Sequence, residues 1–231
     1  MTMRIKNYLF CLIAFGALHA NSVCLFSPPK NWQAAKPKNL SEYVQIGFVG
    51  QGSDSFSPSI SLATEAVDCS LRDYVQAVKE IQLCEPNTHW RDLGALEMNG
   101  GKGRLIQITS PSSWGDLTVL QAMLVKENVA YILTASMLKK DLPSLQKEVL
   151  ASLRSMEFAT DLFAVVKEDS LRTQLIESFN QLGEKSSEEQ NAKEWSALQS
   201  LIEKETNHLG AYWQFLALRE GYAKIHSRTQ Q

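Results

Sequence analysis

Histidines and cysteines are the residues that most often bind metals or act as nucleophiles, and their spacing in this chain predicts neither role. Of the four histidines, His89, His208 and His226 follow the first twenty residues, and none forms H-E-x-x-H or a comparable metal-binding pattern. The sequence also lacks G-x-S-x-G, the P-loop and C-x-x-C. We therefore predict no metal site, no cofactor and no catalytic residues.

Two short matches to a catalytic motif need a separate explanation. Ser136 with Lys139, and Ser144 with Lys147, fit the S-x-x-K of penicillin-recognising serine enzymes. The companion S-D-N and K-T-G motifs, which position the proton shuttle and line the substrate strand, are missing from the sequence. We interpret the two matches as the end of a strand and the start of a helix.

A ligand pocket is the alternative that the aromatic residues allow. Trp90 and Trp114, with His89 next to the first, flank predicted loops, and loops supply binding residues more often than cores do. The opposing interpretation is that both tryptophans close the ends of a sheet, because aromatic side chains supply much of the buried area of a core. A pocket at His89, Trp90 and Trp114 would suit a small-molecule-binding or hydrolytic protein, which is our alternative function.

The first 22 residues have the pattern of a secretory leader. Arg4 and Lys6 precede an apolar run over residues 8–18, which is shorter than the ~20 residues of a membrane helix. Small residues allow cleavage after Ala20 or after Ser22, and we predict the latter. We expect an exported protein, periplasmic or secreted if bacterial, with no membrane-spanning segment after the leader is removed.

The charge balance bears on the kind of partner. The chain has 23 Lys and Arg against 25 Asp and Glu, a net charge of -2, and loss of the leader removes two positive charges. Binding to nucleic acid depends on a basic excess that neutralises phosphates. No nucleic-acid partner is expected.

Export permits disulfides, and three cysteines follow the predicted cleavage site: Cys24, Cys69 and Cys84. The helix predicted between Cys69 and Cys84 would separate their thiols by roughly 20 Å, which is too far for a disulfide. Cys24 is then the one possible partner for either of them. We expect small buried thiols without a catalytic role.

Apolar spacing divides the rest of the chain into a lead-in, an α/β unit and a helical extension. Residues 23–43 carry prolines and lysines and form a lead-in that cannot be regular for long. Over 44–158 the pattern predicts two strands, a helix near 70–83, about four strands, a helix near 142–154 and a short last strand. The strands over 117–125 and 129–137 are joined by so short a turn that we expect antiparallel neighbours.

This order of elements resembles the PsbP/Mog1-like superfamily. The likeness rests on residues 28–32 (PPKNW), the helix after the second strand, residues 129–134 (VAYILT) and the closing helix that runs into residues 155–158 (SMEF). It spans residues 28–158 and implies an α+β fold, an antiparallel sheet flanked by helices in an α/β/α sandwich. It also implies docking onto other proteins, with no shared enzymatic mechanism.

Residues 161–227 are predicted to form a helical hairpin or bundle. Five of them follow W-x2-L-x3-I-x8-A-x3-F, which is weakly similar to a single tetratricopeptide-type helix pair. An ordinary helical hairpin is the favoured interpretation, because core faces use the same residue types at helical spacing. The extension carries more aromatic surface than it can easily hide, so we predict a separable unit that faces a partner. The candidate partner-binding residues are Trp195, Leu198, Ile202, Tyr212, Trp213, Phe215 and Tyr222.

The sequence thus favours an exported, non-catalytic docking or accessory protein. It would bind another protein through its sandwich and its C-terminal helices. The sequence does not identify that protein.

Overall fold

The computed structural model describes residues 22–35, 44–52, 56–182 and 188–228. Its strands are β1 Val23–Leu25, β2 Gln33–Ala34, β3 Val44–Val49, β4 Ser59–Ala66, β5 His89–Met98, β6 Gly101–Ser112, β7 Gly115–Lys126, β8 Val129–Leu138 and β9 Glu157–Ala159. Its α-helices are α1 Leu71–Leu83, α2 Leu142–Arg154, α3 Asp169–Gln181, α4 Glu188–Glu205 and α5 Gly210–Arg228. The predicted leader, except for Ser22, and residues 36–43 of the lead-in lie outside the described residues.

A seven-stranded antiparallel sheet is the centre of the fold, in the order β2-β3-β4-β8-β7-β6-β5. The predicted pairing of the strands at 117–125 and 129–137 is confirmed, because Lys126 lies opposite Val129 and Leu117 opposite Leu138. Glu127 and Asn128 form the turn between them with φ values of 52° and 60°. Positive φ at both central residues is the geometry of the tight hairpin turns that match strand twist. The predicted α+β class is therefore confirmed.

Helix α1 covers one face of the sheet. Its N-cap is Ser70, whose Oγ accepts a hydrogen bond from the Asp73 amide at 3.2 Å. Tyr74 and Val78, one turn apart, are buried against Ile106, Met123 and neighbouring strand residues. The Tyr74 hydroxyl donates to Glu65 Oε2 at 2.8 Å and so ties the helix to β4.

The other face carries α2 and, in the same continuous core, all three C-terminal helices. Phe48 of β3 packs its ring at 6.4 Å from that of Tyr212 on α5. Trp213 is 2% exposed, and its indole N–H donates to the Leu162 carbonyl at 2.6 Å. The prediction of a separable helical unit is wrong in this structure, because the apolar stripe of these helices is buried on the sheet.

The described start of the chain contains two short strands, of three and two residues. β1 pairs with β9 in a two-stranded sheet, Val23 opposite Ala159 and Leu25 opposite Glu157. β2 extends the main sheet by pairing with β3. The apolar residues ahead of Pro28 form a strand because β9 offers them a free edge.

The cysteines differ from the prediction in one respect. The helix between Cys69 and Cys84 is present, and Cys24, Cys69 and Cys84 are all free thiols. Cys24 is buried as expected, whereas Cys69 and Cys84 are exposed, because they flank the two ends of α1. Among the described helices, none is both long and apolar enough to cross a membrane.

Candidate functional site

The α1 face of the sheet is incompletely covered. A helix of 13 residues spans roughly 20 Å, whereas strands of 10 and 12 residues such as β8 and β7 extend for over 30 Å. The sheet residues that join the core under α1 reach Ile108 on β6 and Val119 on β7, but on β8 they are Ala130 and Ile132. The far end of β8, with the part of β4 paired to it, extends beyond the helix.

This uncovered region, which we call the open corner, mixes hydroxyl and apolar side chains. Because residues alternate between faces along a strand, Thr134 and Ser136 share the face of Ile132. The register places Ser59 and Val119 on either side of Ser136, and Ser61 opposite Thr134. All members are half-buried: Val49, Ser59, Ser61, Leu117, Val119, Thr134 and Ser136.

Gln121 marks the boundary between the open corner and the α1 core. Its side chain is 5% exposed, and its Nε2 donates to Thr134 Oγ1 at 3.2 Å. Its Oε1 has no hydrogen-bond partner among the described residues. A buried acceptor without a donor costs about 1–3 kcal/mol, so a ligand that supplied a donor here would bind with an advantage.

Trp114 stands at the rim of the open corner, in the turn between β6 and β7. The turn fixes its backbone, since the Trp114 amide donates to Ser112 Oγ at 3.1 Å and that hydroxyl donates to the Gly115 carbonyl at 2.6 Å. Gly115 has a φ of 118°, which favours glycine. The indole packs against Phe56, ring centroids 5.7 Å apart, yet remains 48% exposed.

A groove of about 390 Å³ runs along one side of Trp114. It is lined by Trp114, Gly115, Asp116, Leu138, Lys139 and Lys140. Lys139 Nζ lies 3.8 Å from Asp116 Oδ2, and both side chains are largely exposed. Two lysines and one aspartate around an aromatic and an aliphatic wall give an apolar groove with a positive rim.

The three residues of the predicted pocket are not gathered around this groove. Trp114 lines it, but His89 and Trp90 are not among its lining residues. His89 is exposed at the start of β5, and Trp90 is half-buried against the α1 core. β5 is two strands from β7, or roughly 10 Å, so the groove opens beside β8 rather than beside His89.

The seven predicted partner-binding residues of the C-terminal helices divide by burial. Leu198, Ile202, Tyr212 and Trp213 are at most 3% exposed and cannot meet a partner in this structure. Trp195 and Phe215 are half-buried. Tyr222 is 56% exposed and packs its ring at 6.3 Å from that of Trp195.

The titratable groups that the fold perturbs lie away from the groove. Burial raises the pKa of Cys24 to about 12 and raises the pKa values of Tyr74, Tyr131 and Tyr212. The guanidinium of Arg104, which bonds to both carboxylate oxygens of Asp92, lowers the pKa of that exposed aspartate. In the described ranges, no three His, Cys, Asp or Glu side chains are grouped to hold a metal ion.

Comparison with known proteins gives similarities of fold. No protein-family model matches the chain, and no curated protein matches it significantly. Similar solved structures include LpqN, involved in cell envelope biogenesis of Mycobacterium tuberculosis, with a TM-score of 0.48 and 15% identity over 60% of this chain and 84% of that one. A cyanobacterial PsbP from Synechocystis has a TM-score of 0.41 and 10% identity over 64% and 99%.

The Saccharomyces cerevisiae Ran-binding protein Mog1p is a further similar structure, with a TM-score of 0.31 and 13% identity over 54% of this chain and 86% of that one. A PsbP and a Mog1 protein are thus both among the similar structures. The arrangement that the resemblance implies, an antiparallel sheet flanked by helices, is confirmed by the chain's own sheet order and helices.

Proposed function

We propose that this protein is an exported, non-catalytic docking protein that binds another protein at the open corner and the groove beside Trp114. The observation that carries the proposal is the exposed indole of Trp114 at the edge of an uncovered sheet face. A hydrogen bond fixes its backbone and its ring packs on Phe56. Tryptophan is enriched among the residues that dominate protein–protein binding energies. A ring already held in place loses little conformational entropy on binding. The opposite face of the sheet is occupied by α2 to α5.

The chemistry of the groove indicates what the partner presents. Leu138 and Trp114 supply apolar walls, while Lys139 and Lys140 add positive charge beside Asp116. A segment with an apolar side chain next to a carboxylate would match both features. The chain provides few perturbed groups for acid–base catalysis near Trp114, which supports binding over turnover.

A photocrosslinking residue placed at position 114 tests the proposal in the native compartment. We expect a discrete protein adduct from position 114 and none from position 176, where Ile176 on α3 is also exposed (38%). Adducts from position 222 instead of 114 would move the binding surface to Tyr222 and the C-terminal helices. Adducts from none of the three positions, with turnover that His89→Ala abolishes, would favour the alternative pocket protein.

Affinity for the partner identified in this way gives the quantitative prediction. We expect Trp114→Ala to weaken binding at least tenfold, about 1.4 kcal/mol or more, because an aromatic anchor is lost. Ile176→Ala is the matched control and should change the dissociation constant less than twofold. A Trp114→Ala protein that binds as tightly as the unmodified one would rule out this surface.

Export is the other part of the proposal and has its own test. Cleavage after Ser22 would leave Val23 as the first residue, directly at the start of β1. Intact-mass measurement of the protein from its native source should give the mass of a chain that begins at Val23. A chain that begins at Met1 in the cytosolic fraction would contradict export.

A further inference from the structure

Residues 23–32 cross the α2 face of the sheet and contact four different parts of the fold. We refer to these residues as the strap. β1, at its start, pairs with β9, and Cys24, Leu25 and Phe26 are buried. At its end, the Trp32 ring packs so closely on Gly50 that an added Cβ there would lie 2.5 Å from it.

The middle of the strap joins α2 to α5 and the sheet. The Ser27 amide donates to Ser155 Oγ at 2.8 Å, and Ser152 Oγ donates to the Ser27 carbonyl at 2.6 Å. The Phe26 ring lies 4.8 Å from the ring of Tyr212 and 5.9 Å from that of Phe48. Phe26 therefore sits between the last helix and the main sheet.

These contacts join parts of the chain that are far apart in sequence. The hydrogen bonds of Ser27 span 125 and 128 residues of sequence, and the contact of Phe26 with α5 spans more. Contacts that close such long loops form late in folding, because the loop-closure entropy is lost before they contribute. The core under α1 contains no strap residue among those described, so it does not depend on the strap.

We infer that the strap acts as a clasp: the C-terminal helices stay packed on the sheet only while residues 23–32 are docked. Removal of the predicted leader allows the strap to dock. The second part rests on the proposed export, the first does not. Four residues separate Leu18, the end of the apolar leader run, from Val23, and an extended chain spans at most about 3.6 Å per residue. Leu18 and Val23 are five Cα–Cα steps apart, so a leader held in a membrane would keep β1 within about 18 Å of it. There β9, α2 and α5 would have to assemble around the strap.

Hydrogen exchange on the full chain tests the clasp. We expect Phe26→Ala to speed amide exchange in α5 and β9 at least tenfold while β6 and β7 under α1 keep their protection. Phe56→Ala is the control, because it also removes an aromatic ring. Phe56 is half-buried and packs on Trp114, outside the strap. It should leave exchange in α5 unchanged.

Two outcomes would overturn the clasp. Exchange that rises equally in the sheet and in α5 would make the strap an ordinary part of one cooperative core, and no change in α5 would make it dispensable. If Phe26→Ala does not fold, Ser155→Ala is the milder variant, since it leaves Phe26 in place and removes the acceptor of the Ser27 amide together with the donor to the Ser152 carbonyl. It should give the same pattern with a smaller change, and equal acceleration everywhere would again contradict the proposal.

The link to export is tested by refolding in the presence of phosphatidylglycerol and phosphatidylethanolamine vesicles. Protection of the α5 amides, followed by pulsed hydrogen exchange, should develop at least tenfold more slowly in the chain that keeps residues 1–22 than in the chain that begins at Val23. Equal rates would contradict the link. Equal refolding rates would not change the interpretation of the exchange experiment or of the crosslinking test at position 114.

Discussion

Replacing Trp213 by alanine is expected to destabilise the protein by about 3–5 kcal/mol, because the change leaves a large cavity in the main core. Trp213 is 2% exposed and is the largest of the fully buried side chains. The change would also remove the donor to the Leu162 carbonyl, which holds α5 against the segment before α3. Urea denaturation should show the loss as a lower midpoint with a similar slope.

A control on the same helix separates burial from residue type. Tyr222 is 56% exposed, so Tyr222→Ala should cost about 1 kcal/mol or less. Trp213→Phe keeps much of the ring but not the N–H and should lie between the two alanine variants. Equal effects of Trp213→Ala and Tyr222→Ala would mean that α5 does not pack on the sheet. The same burial implies that a chain ending at Thr160 would be destabilised by several kcal/mol, the reverse of the separable unit that the sequence predicts.

The parts of the fold that could be predicted from the sequence are those set by local chemistry. The turn at Glu127 and Asn128 is too short for anything but an antiparallel hairpin, and the register confirms it. The cap at Ser70 and the spacing of Tyr74 and Val78 define α1 without reference to the rest of the chain. Periodicity of two or 3.6 residues is a property of one segment, which is why these predictions succeed.

The burial of the C-terminal helices could not be predicted because an apolar stripe does not identify the surface that covers it. The width of the apolar face of α5 was one indication of that burial. Tyr212, Trp213, Leu216 and Ala217 are all buried, and together they make a face broader than a simple helical hairpin needs. A broad apolar face indicates a helix placed between two layers, here α4 and the sheet.

The candidate site depends on relations between distant segments. Trp114 was identified from its residue type, but its groove forms with Leu138 and Lys139, and not with His89. The open corner exists because α1 is shorter than the strands it crosses, and the position of α1 on the sheet depends on contacts between distant segments. Pro28 and Pro29 predict a lead-in without a long regular element, but they do not show that a strand lies just before them or which surface the strap crosses.

Stability should fall steeply as the pH rises above about 9, because four buried groups have pKa values that folding raises. Burial is the first cause for Cys24, Tyr74, Tyr131 and Tyr212, and the hydrogen bond to Glu65 raises the pKa of Tyr74 further. In the unfolded chain a thiol titrates near ~8.5 and a phenol near ~10. Stabilisation from each group is therefore complete below its unfolded pKa and is lost as the pH rises toward the folded value.

The slope of this loss identifies the groups. Cys24 alone contributes between about pH 9 and 10, at ~1.4 kcal/mol per pH unit, and the tyrosines whose pKa values folding raises steepen the loss above pH 10. We expect Tyr74→Phe to be less stable than the unmodified protein at pH 7, by about 1 kcal/mol for the lost bond to Glu65. Above pH 10 its stability should fall less steeply, by ~1.4 kcal/mol per pH unit, so that the two curves of unfolding free energy against pH converge and cross.

Phe179→Leu is the control, a buried change without a titratable group. It should lower the curve at every pH without altering its slope. Parallel curves for Tyr74→Phe and the unmodified protein up to pH 12 would show that Tyr74 ionises without unfolding the chain, and that its hydroxyl reaches solvent in the folded state.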